Sequence, residues 1–328
     1  MHNPAPTPTP ASDLESEEKA AIDRQPSLLV RALDSDVMAS FLRSKLTIAA
    51  AIVTLLFFLL AIFAGVVSPQ NPFDPAQLDL FNSRLPPVWA EMGTMPYVLG
   101  TDEQGRDMFS AIAYGLRISL LVGFAGVFLA AAIGITLGLL AGYLGGVVDT
   151  VVMRIADVQL TFPAILIALL VDGVAKSVLG GQLDEMTILS VLVLAIGLSF
   201  WVQYARTVRG SVLVEKNKDY VAAAKLIGLP APVIMARHVL PNVMGPVLVI
   251  ATINLALAVI TEATLSFLGS GMPDTMPSLG TLIRIGNNYL FSGEWWIVAF
   301  PGVALALLVL AINLLGDWLR DALNPKLR

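Results

Sequence analysis

The chain contains six long apolar runs, near residues 46–67, 117–142, 150–171, 187–208, 243–267 and 296–318. Because about 20 helical residues cross the roughly 30 Å of hydrocarbon in a bilayer, each run is long enough to span it. The third run is the least regular, since Arg154 and Asp157 lie three residues apart inside it, where they can pair or reach the interface. The pattern predicts an all-α polytopic membrane protein with six transmembrane helices.

The residues before the first span are mostly polar. Residues 1–40 begin with alternating Pro and Thr and continue with an acidic stretch, a composition that cannot bury a core. We expect a disordered or surface-lying cytoplasmic tail here and the first transmembrane helix over 41–67. Four apolar residues recur at every fourth position, which fits either a short amphipathic helix on the membrane surface or an extension of the first span. They are Leu29, Leu33, Val37 and Phe41.

Lys and Arg are distributed unevenly over the loops, and these residues favour the cytoplasmic side of a membrane. With the N-terminus inside, fifteen of the twenty lie on the cytoplasmic side and five lie outside. The distribution predicts that both termini and the 217–242 loop are cytoplasmic. The last segment, 319–328, is then a cytoplasmic tail.

Composition supports the membrane assignment and narrows the possible chemistry. Hydrophobic residues make up 56% of the chain and charged residues 14%, and the mean hydropathy is +0.77, whereas soluble domains carry about 25% charged residues. The net charge of −5 argues against a nucleic-acid partner, and the absence of Cys removes disulfides and thiol ligands.

Residues 68–116, between the first two spans, are rich in Pro and also contain aromatic residues. This segment is too polar to span and too long for a plain connector, so we expect a small external feature. Near its end, Thr101 or Asp102 can cap a helix that carries Arg106, which accounts for the local acidic residues without a bound metal. The five later spans, over 117–318, form the core domain.

A polar island over 217–242 separates two of the later spans. Asn217 can cap a short helix, an acidic residue suits its first turn, and Gly228 is a natural stop. Two prolines then prevent simple continuation, so a second short helix should run from near Pro232 to just before Pro241. The island therefore predicts a helix-turn-helix outside the bilayer.

The first of these helices presents small residues that another protein could approach closely. The small surface is formed by Ala222, Ala223 and Ala224, and the knobs beside it are Tyr220, Leu226 and Ile227. This surface suits docking into a groove. The alternative is a plain cytoplasmic connector.

The loop resembles the EAA loop of ABC importer permeases, whose pattern is Glu-Ala-Ala, three residues, Gly, nine residues, Ile, one residue and Leu-Pro. The matching positions are Ala223, Ala224, Gly228, Leu240 and Pro241, while Ala222 replaces the Glu and His238 the Ile. In that family the loop seats in the ATPase subunit. The resemblance implies an ATPase-coupling role for Asp219, Tyr220, Ala222, Ala223, Ala224, Leu226, Ile227, Gly228, Arg237, Leu240 and Pro241.

Four further segments resemble the peptide and nickel branch of these permeases, in the C-type subunit class of dipeptide and oligopeptide transport. They are LGTDEQGRDMFSAIAYGLRISL, EATLSFLGSGMPDTMPSLGTLI, EWWIVAFPG and INLLGDWLRDALNPKLR. With the 217–242 loop, the resemblance covers about residues 40–328. It implies a type I ABC importer permease fold in the bacterial cytoplasmic (inner) membrane.

The same resemblance implies the partners and the cargo. The partners are a homologous second permease subunit, two ATP-binding subunits or domains, and an extracytoplasmic substrate-binding protein. ATP and Mg are bound by the ATPase subunits, and this chain binds no cofactor. Short peptides are the implied cargo, and relatives that carry nickel chelates, glutathione or sugars provide the alternatives.

Motifs for catalysis are missing from the sequence. It has no G-x-x-x-x-G-K-[ST] phosphate loop, no H-E-x-x-H and no G-x-S-x-G, and its two His residues lie in the tail and in the 217–242 loop. We therefore expect a non-catalytic membrane subunit that relies on a separate ATPase.

Polar residues inside spans are the candidates for a translocation pathway, because polar groups facing lipid are unfavourable. These candidates are Asn254, Thr261, Glu262 and Asn313. Glu262 could instead lie at the outer interface or make a hydrogen bond between helices. A proton-coupled secondary transporter is the rival from another class, but its typical deep carboxylates are missing, since Asp172 and Glu262 lie near span ends.

A small-residue stripe marks the second span. Its members, Ala130, Gly134, Gly138 and Gly142, recur every fourth residue. The stripe predicts that a neighbouring helix approaches closely on that face.

Overall fold

A computed structural model describes residues 36–180 and 183–322, with side chains from residue 40 onward. The chain divides into two compact units, Met1–Ile48 and Ala49–Arg328. Most of the predicted tail, with Leu29 and Leu33, lies outside the described residues, as do residues 323–328. In the first unit, helix α1 covers Asp36–Arg43.

The remaining described residues form nine longer helices. These are α2 Lys45–Ile62, α3 Met108–Leu144, α4 Gly146–Leu160, α5 Ala164–Leu179, α6 Glu185–Glu215, α7 Asp219–Leu226, α8 Leu240–Phe267, α9 Leu279–Asn287 and α10 Trp296–Ala322. Shorter helical turns cover Ala64–Val67, Pro75–Gln77, Leu80–Asn82, Ala231–Val233, Ile234–Val239 and Leu290–Ser292. Within the described ranges the chain is all-α, with one isolated antiparallel bridge between Thr101 and Asp107.

Five helices are long and apolar enough to cross a membrane: α2, α3, α6, α10 and the helix formed by Ala231–Phe267. Helices α4 and α5 pass the same test together but are bent by 97°, so they provide a sixth span only as a broken pair. The expectation of one helix over 150–171 is therefore wrong. Pro163 explains the break, because proline lacks an N–H and disfavours helical geometry in the residue before it.

The two acidic residues of α4 pair with arginines of α6. Asp157 forms an ion pair with Arg206, and Arg154 is exposed. Of the two alternatives for Arg154 and Asp157, the pair with each other is not formed. Asp149 pairs with Arg209, so two ion pairs join the helices.

The close helix packing expected at the small-residue stripe is confirmed, and the neighbour is α6. A methyl group at Gly134 would lie 2.4 Å from the carbonyl oxygen of Trp201, and one at Gly138 would lie 2.5 Å from that of Ala205. These distances are far below van der Waals contact, so only glycine permits the approach. The α3–α6 pair forms the centre of the buried core.

Helix α3 begins nine residues earlier than the predicted boundary at 117. Its N-cap is Asp107, whose Oδ2 accepts a hydrogen bond from the Ser110 N–H at 2.8 Å. The expectation that Thr101 or Asp102 caps this helix is wrong. Asp102 instead forms a buried ion pair with Arg106, with 2.5 Å between Oδ2 and Nε.

Candidate functional site

Helix α7 forms the first part of the 217–242 loop, and its C-terminal end has the predicted geometry. The expected stop at Gly228 is confirmed, with φ at +79°. The N–H of Leu229 donates to the Ala224 carbonyl and that of Gly228 to the Lys225 carbonyl, both at 3.1 Å. This pair of bonds is a Schellman motif, which favours glycine at the left-handed position.

The start of α7 differs from the prediction. Lys218 occupies the N-cap position, and the side-chain amide of Asn217 donates instead to the Leu213 carbonyl of α6 at 2.9 Å. Asp219 lies in the first turn, as expected, where a carboxylate suits the positive end of the helix dipole.

The second half of the loop is not a separate helix that ends before Pro241. The chain passes through Ala231–Val233 and a π-helical turn, Ile234–Val239, directly into α8. In a regular α-helix the Pro241 ring would clash with the backbone carbonyl four residues earlier. The wider π turn shifts the hydrogen-bonding pattern by one residue before Pro241 is reached. Pro241 then falls in the first turn of α8, where its missing N–H is tolerated.

The two faces of α7 differ in exposure. Val221 and Ala224 are buried against the subunit, whereas Ala222 and Ala223 are exposed. Ala224 therefore does not belong to the predicted docking surface. Beyond the alanines, Leu226 is 89% and Ile227 75% exposed.

We call the exposed set Ala222, Ala223, Leu226 and Ile227 the α7 face. Of the other predicted coupling residues, Arg237 and Pro241 are exposed, and Leu240 is half-buried.

Tyr220 points towards the subunit rather than outwards as a knob. Its hydroxyl donates to Glu215 Oε1 at 2.5 Å and accepts from Asn242 Nδ2 at 3.2 Å. Burial first, and then Glu215, raises the pKa of Tyr220 to about 12. The contacts join the ends of α6 and α8 to α7.

Two lysines, one at the end of α6 and one on α7, contact the end of α3. Lys216 Nζ donates to the Gly142 carbonyl at 2.7 Å, and Lys225 Nζ lies 5.6 Å from the ring centroid of Tyr143. With the Tyr220 contacts, the α7 face is thus held by three long helices.

The four pathway candidates do not share one surface. Asn254 and Glu262 are fully buried, whereas Thr261 and Asn313 are partly exposed. The Thr261 hydroxyl donates to the Leu257 carbonyl of its own helix at 2.8 Å.

Glu262 makes the hydrogen bonds between helices that the sequence left open as an alternative. Its Oε2 accepts from Ser119 of α3 at 2.7 Å, and its Oε1 accepts from Ser266 at 2.7 Å. Ser266 in turn accepts from Ser278, next to α9, at 3.1 Å. Glu262 therefore joins α3, α8 and the start of α9 inside the subunit.

Sequence reasoning missed the polar contacts between α4 and α6. Besides the two ion pairs, Trp201 Nε1 donates to Gln159 Oε1 at 2.8 Å. The partners in these contacts lie 42 to 60 residues apart, so no short spacing in the sequence signals them.

Comparison with known proteins defines the class. Residues 134–328, more than half of the chain, match the family described as binding-protein-dependent transport system inner membrane component. Residues 35–87 match the N-terminal TM domain of oligopeptide transport permease C. The protein is thus a permease subunit of an ABC importer in the bacterial inner membrane. The chain belongs to the binding-protein-dependent transport permease family.

Similar curated proteins span almost the same length. The dipeptide transport system permease protein DppC of Haemophilus influenzae is 39% identical over 279 residues, which are 85% of this chain and 91% of that protein. The di/tripeptide transport system permease protein DppC of Pseudomonas aeruginosa is 36% identical over 100% of this chain and 98% of that protein. DppC of Bacillus subtilis is 34% identical over 100% and 96%.

A solved structure shares the fold. The inward-facing MetNI methionine ABC transporter contains a chain that aligns with a TM-score of 0.51 and 21% identity, covering 66% of this chain and 98% of that chain. The type I importer permease fold is thereby confirmed.

Proposed function

We propose that this permease imports short peptides, as one of two homologous membrane subunits that together enclose the pathway. The support is the set of relatives named for dipeptides or di/tripeptides, which match over nearly the whole chain. Two ATP-binding subunits supply ATP and Mg, and an extracytoplasmic binding protein delivers cargo. Both termini and the 217–242 loop lie in the cytoplasm.

Uptake by the reconstituted importer tests the cargo. We expect a labelled dipeptide to accumulate with ATP, and unlabelled dipeptide to compete more strongly than glutathione, a nickel chelate or a sugar. Accumulation of one of those solutes with no dipeptide uptake would reject the peptide proposal.

The α7 face is the proposed docking site for an ATPase, and one observation carries this role. Small alanines and two almost fully exposed apolar side chains project from a helix that three long helices hold in place. Exposed apolar groups on a rigid support are typical of interaction sites. Movement of the bound ATPase would reach α3, α6 and α8 through the contacts of Tyr220, Lys216 and Lys225.

Replacing Ala223 with tryptophan should reduce uptake and cargo-stimulated ATP hydrolysis together. The added bulk keeps the α7 face out of its groove, while the exposed position leaves the subunit fold intact. We expect uptake to fall by at least about ten-fold, which corresponds to roughly 1.4 kcal/mol of lost coupling. Uptake and cargo-stimulated ATPase activity are measured on the same proteoliposomes.

Ala49→Trp is the matched control, because Ala49 is an exposed alanine on α2. This variant should transport like the unmodified importer. Full transport by the Ala223→Trp variant with the ATPase still bound would rule out α7 as the coupling element.

The 68–107 segment and the turn at Leu290–Ser292 are the proposed docking surface for the binding protein. Phe81 and Phe291 are 99% and 96% exposed, and such apolar groups favour contact with another protein. The Phe81→Ser and Phe291→Ser variants should need several-fold more binding protein for half-maximal uptake. Glu91→Ser, at an exposed polar position, is the control. An unchanged requirement in both Phe variants would contradict this docking surface.

Thr261 and Asn313, the two partly exposed candidates, are the residues that we propose line the translocation pathway. The chain has no Cys, so single Cys residues at Thr261 and Asn313 can be probed with a membrane-impermeant thiol reagent. We expect labelling at these positions during turnover and none at the buried Asn254. Equal protection at all three positions would remove Thr261 and Asn313 from the pathway.

A further inference from the structure

A groove runs between α2 and α3 on the side of the helix bundle. It encloses about 310 Å³, and its lining includes Phe58, Ile62, Leu121, Phe124 and, as its one charged residue, Arg117. The rings of Phe58 and Phe124 pack edge to face, with 5.5 Å between centroids. Both helices have the length and hydropathy of membrane spans.

The Arg117 side chain is fixed at the end of α2. Its Nε donates to the Ala61 carbonyl at 2.8 Å and its Nη2 to the Ile62 carbonyl at 3.0 Å. Its guanidinium also lies 5.2 Å from the ring centroid of Tyr114. A cation suits the last carbonyls of a helix, and these two bonds use only part of a guanidinium's five N–H donors.

Arg117 differs from the two arginines of α6 in its charge balance. Arg206 and Arg209 each pair with a carboxylate of α4. Among the described residues no carboxylate lies within 4.0 Å of Arg117. The positive charge at the end of the apolar groove thus contacts two backbone carbonyls and the Tyr114 ring but no protein carboxylate.

We propose that this groove binds a phospholipid, with its phosphate at Arg117 and an acyl chain along Phe58, Leu121 and Phe124. The phosphate supplies the missing negative charge, and guanidinium groups bind phosphate through paired N–H donors. The acyl chain covers the exposed apolar side chains of the groove. A water-soluble ligand lacks this combination, because the groove walls are apolar and lie on membrane-spanning helices.

Photoactivatable phospholipid tests the proposal on the complete importer in nanodiscs. A phosphatidylethanolamine probe with a reactive group on its acyl chain should label peptides from α2 and α3. The Arg117→Gln variant removes the cation, and Leu121→Trp fills the groove while keeping Arg117. Both variants should lower labelling of these peptides by at least about ten-fold. Arg154→Gln, at an exposed arginine on α4, should not.

A diacylglycerol probe with the same reactive chain isolates the headgroup. It lacks phosphate, so it should label α2 and α3 much less than the phospholipid probe does. Equal labelling by the two probes would overturn phosphate recognition at Arg117. Undiminished phospholipid labelling in both Leu121→Trp and Arg117→Gln would overturn the site itself. Uptake by both variants is measured in parallel, so that loss of the fold is recognised separately.

Discussion

Replacing Gly138 with leucine should abolish assembly of the importer. A methyl group at this position already lies 2.5 Å from the Ala205 carbonyl oxygen and 3.0 Å from the Ala205 Cα. These are backbone atoms of α6, so no rotation of a side chain relieves the clash and the two helices must separate. Overpacking of a core typically costs about 1–3 kcal/mol. In this variant the overpacked contact lies between α3 and α6, the central helix pair. Size-exclusion chromatography of the tagged complex measures the loss.

Gly210→Leu provides the control on α6. A Cβ at Gly210 meets nothing within 4 Å, and leucine favours helix more than glycine does. This variant should assemble normally. Normal assembly by the Gly138→Leu variant as well would show that α3 and α6 do not approach as closely as the structure places them.

The Asp102→Ala variant should loosen the segment before α3. Asp102 and Arg106 are both almost completely buried, and Arg106 Nη1 also donates to the Asp274 carbonyl at 2.7 Å. Removing the carboxylate leaves a buried guanidinium without its counterion, at an expected cost of about 3–5 kcal/mol. Hydrogen exchange should quicken throughout 78–107, and the melting temperature of the complex should fall.

Asp274→Ala is the matched comparison, because it keeps the carbonyl that Arg106 uses. It removes only the partly exposed ion pair with Arg284, and such pairs contribute about 0–1 kcal/mol. Similar exchange rates in the Asp102→Ala and Asp274→Ala variants would show that the buried pair does not hold this segment.

The apolar runs predicted the membrane class and most of the spans, and the misplaced boundaries have a common physical cause. Hydropathy reports contact with lipid, whereas α3 begins with residues that are buried against protein. Its first turns include Ser110 and Gly115, both buried, so the helix extends beyond the run that the sequence marks. The break at Pro163 was missed because the apolar run continues across it, and hydropathy does not report backbone geometry.

The 217–242 loop was predictable where local chemistry decides the structure. Gly228 ends α7 because of its own backbone freedom, which the sequence shows directly. The inward placement of Tyr220 and Ala224 depends on which side of α7 packs against the long helices. An eight-residue helix contains too few apolar positions for the sequence to show which side that is. The π turn before Pro241 likewise lies outside any 3.6-residue pattern.

The π turn also has a mechanical consequence. Because the π turn replaces a break, Ala231–Phe267 is one continuous helix of 37 residues, about 55 Å long at ~1.5 Å per residue. A tilt of about 5° over this length corresponds to a displacement of about 5 Å between its ends. Glu262 lies near the far end and is bonded to Ser119 of α3. The segment beside α7 and the α3 contact at the opposite end of the bundle thus belong to one continuous helix.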